Sequence, residues 1–499
     1  MAQPRTHYNL IANFFGSGWS AVMGLAFIPF YINLMGVEAY GLVGVYISLQ
    51  AIFSILDLGL SQTLGREMSR LSLSSVGHQQ MANTARTLEI IYWASAVLLG
   101  SMFALSSHFI AKFWLNPVQL SSDSVSNSLL IMALVIALRW PLTLYIGGLN
   151  GLQRQVSLNV QLAFFATFQG VGAILVLWLI KPTIEAFFLW QGISSLLQVL
   201  SIRLGFWRAM PLKVGHFSLS VLYSIWRFAL SMTGISLLAA ILTQLDKLVL
   251  SKMLSLENFG FYVFASSVAS ILFRVVSPIF TTYLPRFTQL LTVEDMCSLK
   301  NSYHTASQIM AIALVPVACV LSLYAHEVLM LWTQNEQLAE HTYLLVAVLT
   351  LGNMLNGLVT VPYALQVAHG WTRFALIQNL LAVVLMVPAL FIFVNQYGEV
   401  GAAFVWAGLN LLFLLVGVFI MHRKLLSGQW GRWLLEAVIC PLFVGSLTVL
   451  LFKGLRPAPD KTLLTIVFLS VVSIVVFCSV AASLPVGRQL ILRMKTRLA

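Results

Sequence analysis

The chain has 499 residues, of which 59% are hydrophobic and only 9% are charged, and its mean hydropathy is +0.90. These values exclude a soluble globular protein and indicate an integral membrane protein. The formal net charge of +12 is spread thinly over many short loops, so no DNA or RNA partner is expected.

The predicted fold class is an all-α polytopic membrane protein with about 14 transmembrane helices. A spanning helix needs about 20 largely apolar residues, and such runs recur between short connections that carry Gly, Pro, Asn or charge. The first run is too long for a cleavable signal peptide and is expected to be retained. The predicted spans, in chain order, are Asn9–Met35, Ala39–Gly59, Thr87–Phe109, Ser126–Leu149, Val156–Ile180, Ile184–Leu204, Trp226–Met253, Asn258–Tyr283, Tyr303–Tyr324, Thr342–Val367, Arg373–Val394, Val400–Met421, Trp433–Phe452 and Thr462–Leu484.

The basic residues predict the orientation of these spans. With the N-terminus in the cytoplasm, 19 of the 28 Lys and Arg residues fall in inner loops, tails and span ends, 6 fall on the outer side, and 3 lie inside spans. Cytoplasmic loops carry an excess of Lys and Arg. Both termini are therefore predicted to be cytoplasmic.

Two short motifs recur at one spacing and indicate an internal duplication. The pattern Glu-x-aromatic-Gly occurs in GVEAYG (36–41). It occurs again, 219 residues later, in LENFGF (256–261). Gly151 and Arg154 match Gly370 and Arg373 at the same offset. An even-numbered repeat re-enters the membrane on the side where it began, so we predict two parallel six-helix repeats around a central cleft, plus two C-terminal helices.

The predicted domain organisation follows from this duplication. It comprises an N-terminal six-helix bundle at residues 1–205, a cytoplasmic linker at 206–225, a C-terminal six-helix bundle at 226–424, and two additional helices with a basic cytoplasmic tail at 425–499.

Three cations inside spans are the predicted substrate-binding residues. Counted at about 1.5 Å per residue from the outer helix ends, Lys247 lies roughly 10–14 Å deep, Arg139 roughly 20 Å and Arg274 roughly 24 Å. A charge at the bilayer centre costs roughly 2.5–3.5 kcal/mol on the insertion scale, so it marks a functional position. Cations at graded depth in one cleft suit an anionic cargo, and guanidinium groups suit phosphate oxygens.

Other polar residues complete the candidate site. Asp57, Glu89 and Asp246 are predicted coupling or helix-pairing acids. The structural alternative is an ion pair of Asp246 with Arg274 or of Glu89 with Arg139, together with a Lys247 side chain that snorkels outward. Helix–helix hydrogen bonding remains an alternative for the small polar residues as well. The predicted cavity-lining residues are Asn13, Ser17, Thr243, Ser270 and Ser277.

The segments LDLGLSQTLGREMSR (56–70), PLTLYIGGLNGLQRQ (141–155) and QLDKLVLSKMLSLENFGFYVFA (244–265) resemble a known family. They are similar to the polysaccharide exporters, chiefly bacterial O-antigen and related lipid-linked oligosaccharide flippases, of the multidrug and oligosaccharidyl-lipid exporter superfamily. The resemblance implies twelve core helices and two peripheral ones, and it implies by position a cationic cavity at Arg139, Lys247 and Arg274.

The same resemblance implies a function. The cargo would be an oligosaccharide joined by pyrophosphate to a polyprenol, moved by alternating access from the cytoplasmic to the outer leaflet during polysaccharide or O-antigen biosynthesis. The implied partners are this glycan, membrane lipid and the polysaccharide polymerase or ligase machinery. Coupling to H⁺ or Na⁺ stays open, and no cofactor is expected.

Two rival functions are less favoured by the residues. A drug or organic-cation antiporter of the same superfamily would place acids and aromatic rings in the cleft, whereas this chain predicts three cations there. An enzyme of the same pathway needs a loop large enough for a catalytic constellation, but the longest connection, Leu60–Arg86, holds only Glu67 and His78 as candidate acid and base. We therefore expect no enzymatic activity, and no Cys or His spacing predicts a metal site.

Overall fold

The computed structural model describes residues 6–57, 59–72, 77–212, 214–220, 223, 243–455 and 462–489. The secondary structure of these residues is helical, with no strand among them. Most of the predicted seventh span, residues 226–242, lies outside the described residues, as does the side chain of Ser17. The all-α class predicted from the sequence is confirmed.

The chain divides into two compact units, Met1–Gly260 and Phe261–Ala499. In unit 1, α5 and α8 pack against α6, and α1 packs along α7. A core of fully buried side chains, including Leu64, Met68 and Tyr145, fills the space between α4, α5, α6 and α8. The helices of unit 1 are α1 (Thr6–Ala26), α2 (Ile28–Met35), α3 (Val37–Ile55), α4 (Leu60–Leu71), α5 (Gly77–Phe113), α6 (Ser122–Gly151), α7 (Gln155–Leu179), α8 (Ile184–Ala209), α9 (residues 243–253) and the first turn of α10 (Leu256–Ala269).

Unit 2 is organised around α12 and α14, which pack against each other and against α11. The indole of Trp433 is fully buried among these helices, together with Tyr303 and Phe287. A 3₁₀ turn (Ser270–Leu272) connects α10 to α11, and π-helical turns lie at Phe413–Gly417 and Leu435–Ile439. The helices are α11 (Phe273–Thr292), α12 (Met296–Leu323), α13 (Ala325–Thr333), α14 (Glu336–Ala368), α15 (Thr372–Leu412), α16 (Val418–Leu425), α17 (Trp430–Leu434), α18 (Cys440–Phe452) and α19 (Thr462–Ser483).

Side-chain caps determine where several of these helices begin. Ser121 accepts a hydrogen bond from the Ser124 amide at 3.1 Å, and Asp295 accepts one from the Ser298 amide at 2.9 Å. Such caps satisfy an amide group that has no partner inside the helix. At the reversal between α2 and α3, Gly36 has φ of +85°, a conformation that glycine adopts without strain.

Twelve helices among the described residues are long and apolar enough to cross a membrane. One of them, residues 372–425, is 54 residues long and contains two predicted spans. It is broken at Gly398, where φ is 59° and ψ is −142°. Since the predicted seventh span is largely outside the described residues, the count of 14 stays a prediction.

The helix starts repeat the spacing of the sequence motifs. Val37 begins α3 and Leu256 begins α10, and these two residues are 219 positions apart. The starts of these two helices therefore have the same 219-residue spacing as the sequence motifs.

Two glycines make equivalent close contacts at the repeated motif. Gly41 packs against the carbonyl oxygen of Leu256, and Gly260 packs against the carbonyl oxygen of Val37, so closely that a Cβ at either glycine would overlap the oxygen. Each residue of the first contact lies 219 positions from its counterpart in the second. The contact between α3 and the first turn of α10 is therefore nearly symmetric under the duplication.

We expect Gly41→Ala to lower the thermal stability of the purified protein, because the added methyl group forces these two backbones apart. Overpacking of this kind costs about 1–3 kcal/mol. Gly408→Ala is the matched control, since a Cβ there meets nothing within 4 Å, and replacing a helical glycine gains about 0.5–1 kcal/mol. The measurement is the midpoint of thermal unfolding in detergent, and a midpoint for Gly41→Ala at or above wild type would contradict the tight contact.

The division into units differs from the predicted domain limits because residues 243–260 pack with unit 1. Trp114 donates a hydrogen bond to the Ser251 hydroxyl at 3.0 Å, and the Leu256 amide donates one to the Asn116 carbonyl at 2.9 Å. The predicted domain limits follow the repeated sequence motifs, whereas the two units are defined by which residues pack together. The predicted limits therefore stay predictions.

Candidate functional site

Arg139 is the centre of a polar cluster inside unit 1. It is half-buried on α6, where Nη1 donates to the Tyr46 hydroxyl at 2.9 Å and Nη2 donates to Gln169 Oε1 at 3.4 Å. Gln50 donates to the same hydroxyl at 2.9 Å, and Gln169 donates to Gln198 Oε1 at 2.9 Å. These five residues, here the Arg139 cluster, bring together α3, α6, α7 and α8.

The positive charge of Arg139 is not neutralised by any carboxylate among the described residues. Its hydrogen-bond partners, Tyr46 and Gln169, are neutral, and no acid of the described chain lies within 4.0 Å of its nitrogens. A guanidinium carries five N–H donors, so Arg139 retains donors beyond the two it uses here. A half-buried guanidinium with spare donors is suited to carboxylate or phosphate oxygens.

Glu89 does not pair with Arg139, which corrects one of the alternatives considered from the sequence. Glu89 is only 3% exposed, and its Oε2 accepts from Arg86 at 2.7 Å. Its Oε1 accepts from Arg203 at 2.7 Å and from the Tyr145 hydroxyl at 2.6 Å. The carboxylate is therefore occupied by partners on α5, α6 and α8, and in this structure it joins helices.

Asp57 is also occupied by neighbouring side chains. It lies just after α3 and accepts from the Ser61 hydroxyl at 2.8 Å and from the Tyr92 hydroxyl. These bonds connect the end of α3 to α4 and α5. Neither Asp57 nor Glu89 is thus open to a cargo in this state.

Asp246 and Lys247, the adjacent charged residues on α9, differ in how deeply they are buried. Asp246 is buried, with 8% of its surface exposed, whereas Lys247 is half-buried. Successive residues of a helix are rotated by about 100°, so the two side chains point to different surroundings. Within the described part of the chain, Lys247 forms no ion pair. Thr243, one turn earlier, is exposed.

Arg274 lies on an exposed polar stripe of unit 2. Ser270, Arg274 and Ser277 are all exposed and follow one another at helical spacing across the 3₁₀ turn. The Ser270 hydroxyl donates to the Ser267 carbonyl of its own helix at 2.7 Å. In the described residues no hydrogen bond joins Ser270 or Ser277 to another helix, which disfavours helix–helix bonding as their role.

Asn13, in contrast, does connect two helices. Its Nδ2 donates to Gln155 Oε1 at 3.1 Å, and its Oδ1 accepts from Asn159 at 2.5 Å. Asn13 therefore links α1 to the first turns of α7. This agrees with helix–helix hydrogen bonding, the alternative role predicted for the small polar residues.

The glutamines of the Arg139 cluster were missed by the sequence analysis. Gln50, Gln169 and Gln198 lie inside apolar spans, and a long amide side chain in a span was the available signal. The sequence of one span shows on which face of its helix the glutamine lies, but it does not show which helix faces pack against each other. The charge of Arg139 was visible, but its neutral partners were not.

A partly buried polar network in unit 2 was also missed. Glu436 accepts from Gln308 at 2.7 Å and from Arg432 at 2.9 Å, while His304 hydrogen-bonds Gln429 at 2.9 Å. These bonds connect α12 to the region of α17, so the network anchors the additional helices. No group of His, Cys, Asp or Glu in the described ranges is arranged to hold a metal ion.

The fold defines the class of protein, a multi-pass membrane protein whose helix arrangement is similar to those of solved transporters. A solved structure described as "Lipid II flippase MurJ, inward closed conformation" is similar with a TM-score of 0.68 and 16% identity, over 94% of this chain and 97% of that one. A multidrug resistance MATE family transporter of the MOP superfamily, in an inward-facing conformation, has a TM-score of 0.69 and 14% identity, over 83% of this chain and 95% of that one. At these identities the likeness shows the fold alone.

The chain belongs to the polysaccharide biosynthesis protein family, whose sequence model matches residues 8–291, more than half of its length. A curated relative from Shigella flexneri, named "Putative O-antigen transporter", is 21% identical over 403 residues. The aligned region covers 80% of this chain and 93% of the relative. The family resemblance inferred from the three sequence segments is thereby confirmed.

Proposed function

We propose that this protein is a flippase for a polyprenyl-pyrophosphate-linked oligosaccharide, such as an O-antigen repeat unit. It moves this cargo from the cytoplasmic to the outer leaflet of a bacterial inner membrane by alternating access, with both termini in the cytoplasm. Arg139, Lys247 and Arg274 contact the anionic headgroup, and no resident cofactor takes part. The family membership and the name of the Shigella relative support the proposal.

The observation that carries the proposal is the contrast between acids and cations in the described spans. Asp57 and Glu89 are held by protein donors, whereas Arg139, Lys247 and Arg274 form no ion pair there. A charge in a span is costly unless it pairs or faces water. An anionic cargo would supply the opposite charge that the described protein groups do not.

The same contrast distinguishes this proposal from a drug antiporter. The multidrug transporter shares the fold, so the fold does not separate the two functions. An organic cation needs an accessible carboxylate or an aromatic cage, while Asp57 and Glu89 are already occupied. The arrangement favours a cargo of negative charge.

Membrane energetics agree with outward movement. Moving one charge across 100 mV is worth about 2.3 kcal/mol. A pyrophosphate with about two negative charges leaving an inside-negative cell therefore gains roughly 5 kcal/mol at that potential. H⁺ or Na⁺ coupling would add to this driving force without being required for it.

The test is surface-glycan display in a bacterial host that lacks its own flippase. We expect Lys247→Ala and Arg274→Ala each to reduce display about tenfold, since a hydrogen bond to a charged group contributes roughly 1.5–3 kcal/mol. Lys247→Arg and Arg274→Lys should recover much of it, because they keep the charge. Arg208→Ala, at an exposed arginine in the last turn of α8, is the matched control and should leave display unchanged.

Membrane abundance is measured for every variant, so that loss of protein is not mistaken for loss of transport. Failure of the wild type to restore display of any lipid-linked glycan supplied would contradict the function. Normal display by both alanine variants at normal abundance would instead remove Lys247 and Arg274 from cargo binding.

A further inference from the structure

An apolar groove runs between α1 and α7 on unit 1. Its volume is about 570 Å³, and its walls are almost wholly hydrocarbon. The α1 wall includes Phe15, Gly18 and Trp19, and the α7 wall includes Val156 and Val160. The described site residues of the preceding sections do not line this groove, apart from the Asn159 side chain that holds Asn13.

Specific contacts set the width of the groove. Gly16 lies so close to the Asn159 side chain that a Cβ would overlap it, and the Trp19 indole donates to the Thr167 hydroxyl at 2.8 Å. Gly18, in contrast, faces open space, with nothing within 4 Å of a Cβ placed there. The helices therefore approach closely at Gly16 and leave room beside Gly18.

One end of the groove is polar and cationic. The amides of Asn13, Gln155 and Asn159 are bonded to one another at this end. The next residue, Arg154, is exposed and forms no ion pair within the described chain. The charge distribution of the sequence predicts that this end of α7 faces the cytoplasm. The groove thus has a hydrocarbon body and a positive cytoplasmic end.

We propose that the groove is the loading site for the isoprenoid chain of the transported lipid in the cytoplasmic leaflet, with its phosphates at the level of Arg154. This inference rests on the proposed function. An amphiphile with an anionic head and a long hydrocarbon chain matches the polarity of the groove from end to end. An exposed guanidinium can bind phosphate oxygens through paired, charge-assisted hydrogen bonds.

The position of the groove on α7 links it to the Arg139 cluster. Ala163 lines the groove and Gln169 hydrogen-bonds Arg139, and the two are about 9 Å apart along the helix axis at about 1.5 Å per residue. A chain held in the groove can remain in hydrocarbon while its headgroup moves along α7 toward Arg139.

Filling the groove from within tests the proposal. Gly18→Leu projects a side chain into the open space of the groove, while Gly24→Leu adds the same side chain to α1 at a glycine that also faces open space but does not line the groove. The purified full chain is titrated with undecaprenyl phosphate, and bound lipid is counted by native mass spectrometry. A parallel titration uses a phosphatidylglycerol with ordinary acyl chains.

We expect wild type and Gly24→Leu to retain one undecaprenyl phosphate. Gly18→Leu should bind it about tenfold more weakly, as when about two methylene groups leave an apolar site. Should Gly18→Leu fold poorly by size-exclusion chromatography, Val160→Trp fills the groove from the other wall at a position that is already 64% exposed. Equal retention of undecaprenyl phosphate by all variants would overturn the proposal, as would equally tight, Gly18-sensitive binding of the phosphatidylglycerol in its own titration.

Transport separates this inference from the function on which it rests. If wild type displays glycan and Gly18→Leu displays it equally well at normal abundance, the loading groove is wrong and the flippase stands. If undecaprenyl phosphate binds in the Gly18-sensitive manner but wild type displays no glycan, the flippase is wrong and the groove stands as a lipid site.

Discussion

Arg139→Ala is expected to reduce surface-glycan display roughly 10–100-fold, the largest loss among the cation variants. The reason is that Arg139 is half-buried and bonded only to neutral groups, Tyr46 and Gln169, so its charge is available to the cargo. Losing charge-assisted hydrogen bonds costs roughly 1.5–3 kcal/mol, and about 1.4 kcal/mol is tenfold. The measurement is display in the flippase-deficient host, normalised to membrane abundance.

Conservative variants distinguish charge from shape at this position. Arg139→Lys keeps the charge but loses the planar fork, so it should restore display only in part. Tyr46→Phe removes one neutral acceptor and leaves the charge, so its effect should be smaller than that of Arg139→Ala. Wild-type display by Arg139→Ala at normal abundance would contradict a cargo-binding role for the Arg139 cluster.

Glu89→Gln is expected to destabilise the protein by about 3 kcal/mol, the largest structural effect we anticipate. The buried carboxylate accepts from Arg86, Arg203 and Tyr145. Removing one partner of a buried ion pair costs about 3–5 kcal/mol. The two arginines are partly exposed and can regain water, which places the expected cost at the lower end of that range.

Glu67→Gln is the matched control for this substitution. Glu67 pairs with Arg70 at 2.6 Å within α4, where 58% of the arginine side chain and 17% of the glutamate side chain are accessible, against 4% for the Glu89 side chain. Surface pairs contribute about 0–1 kcal/mol, so thermal unfolding in detergent should barely change. Equal shifts for Glu89→Gln and Glu67→Gln would show that the ion pairs and hydrogen bond of Glu89 do not hold α5, α6 and α8 together.

The two results together separate transport from folding. Arg139→Ala should leave thermal stability near wild type while display falls, because its protein partners are neutral. Glu89→Gln should lower stability first and display only as protein is lost. If Arg139→Ala lowered stability and Glu89→Gln lowered display at normal stability, Arg139 would be a structural residue and Glu89 would act on the cargo.

The neighbour relationships within helices were accessible from the sequence. Arg86 and Glu89 are three residues apart on one helix, and such pairs face each other. Arg203 comes from α8, 114 residues further along, and no periodicity predicts that it reaches the same carboxylate. The Glu89–Arg139 pair was plausible by depth alone and does not form, because α6 turns Arg139 toward α3 and α7.

The sequence by itself determined the membrane class, the helical secondary structure and the duplication. In hydrocarbon each backbone amide needs a partner within its own segment, so an apolar run of sufficient length becomes a helix wherever it lies. The 219-residue offset depends only on the order of residues. The membrane class, the helices and the repeat spacing can therefore be predicted from the order of residues, without knowing which helices pack together.

Only the tertiary structure decided which charges are neutralised and where a groove opens. Partner choice depends on how helices are rotated about their axes and how closely they pack, and residues far apart in sequence set both. Gly16 brings α1 against Asn159, while Gly18, two residues later, leaves the space of the groove. Glu89 meets three basic or hydroxyl partners because of how α5, α6 and α8 pack, and Arg139 meets neutral ones because of how α6 packs with α3 and α7. That difference separates an anchoring residue from a candidate binding residue.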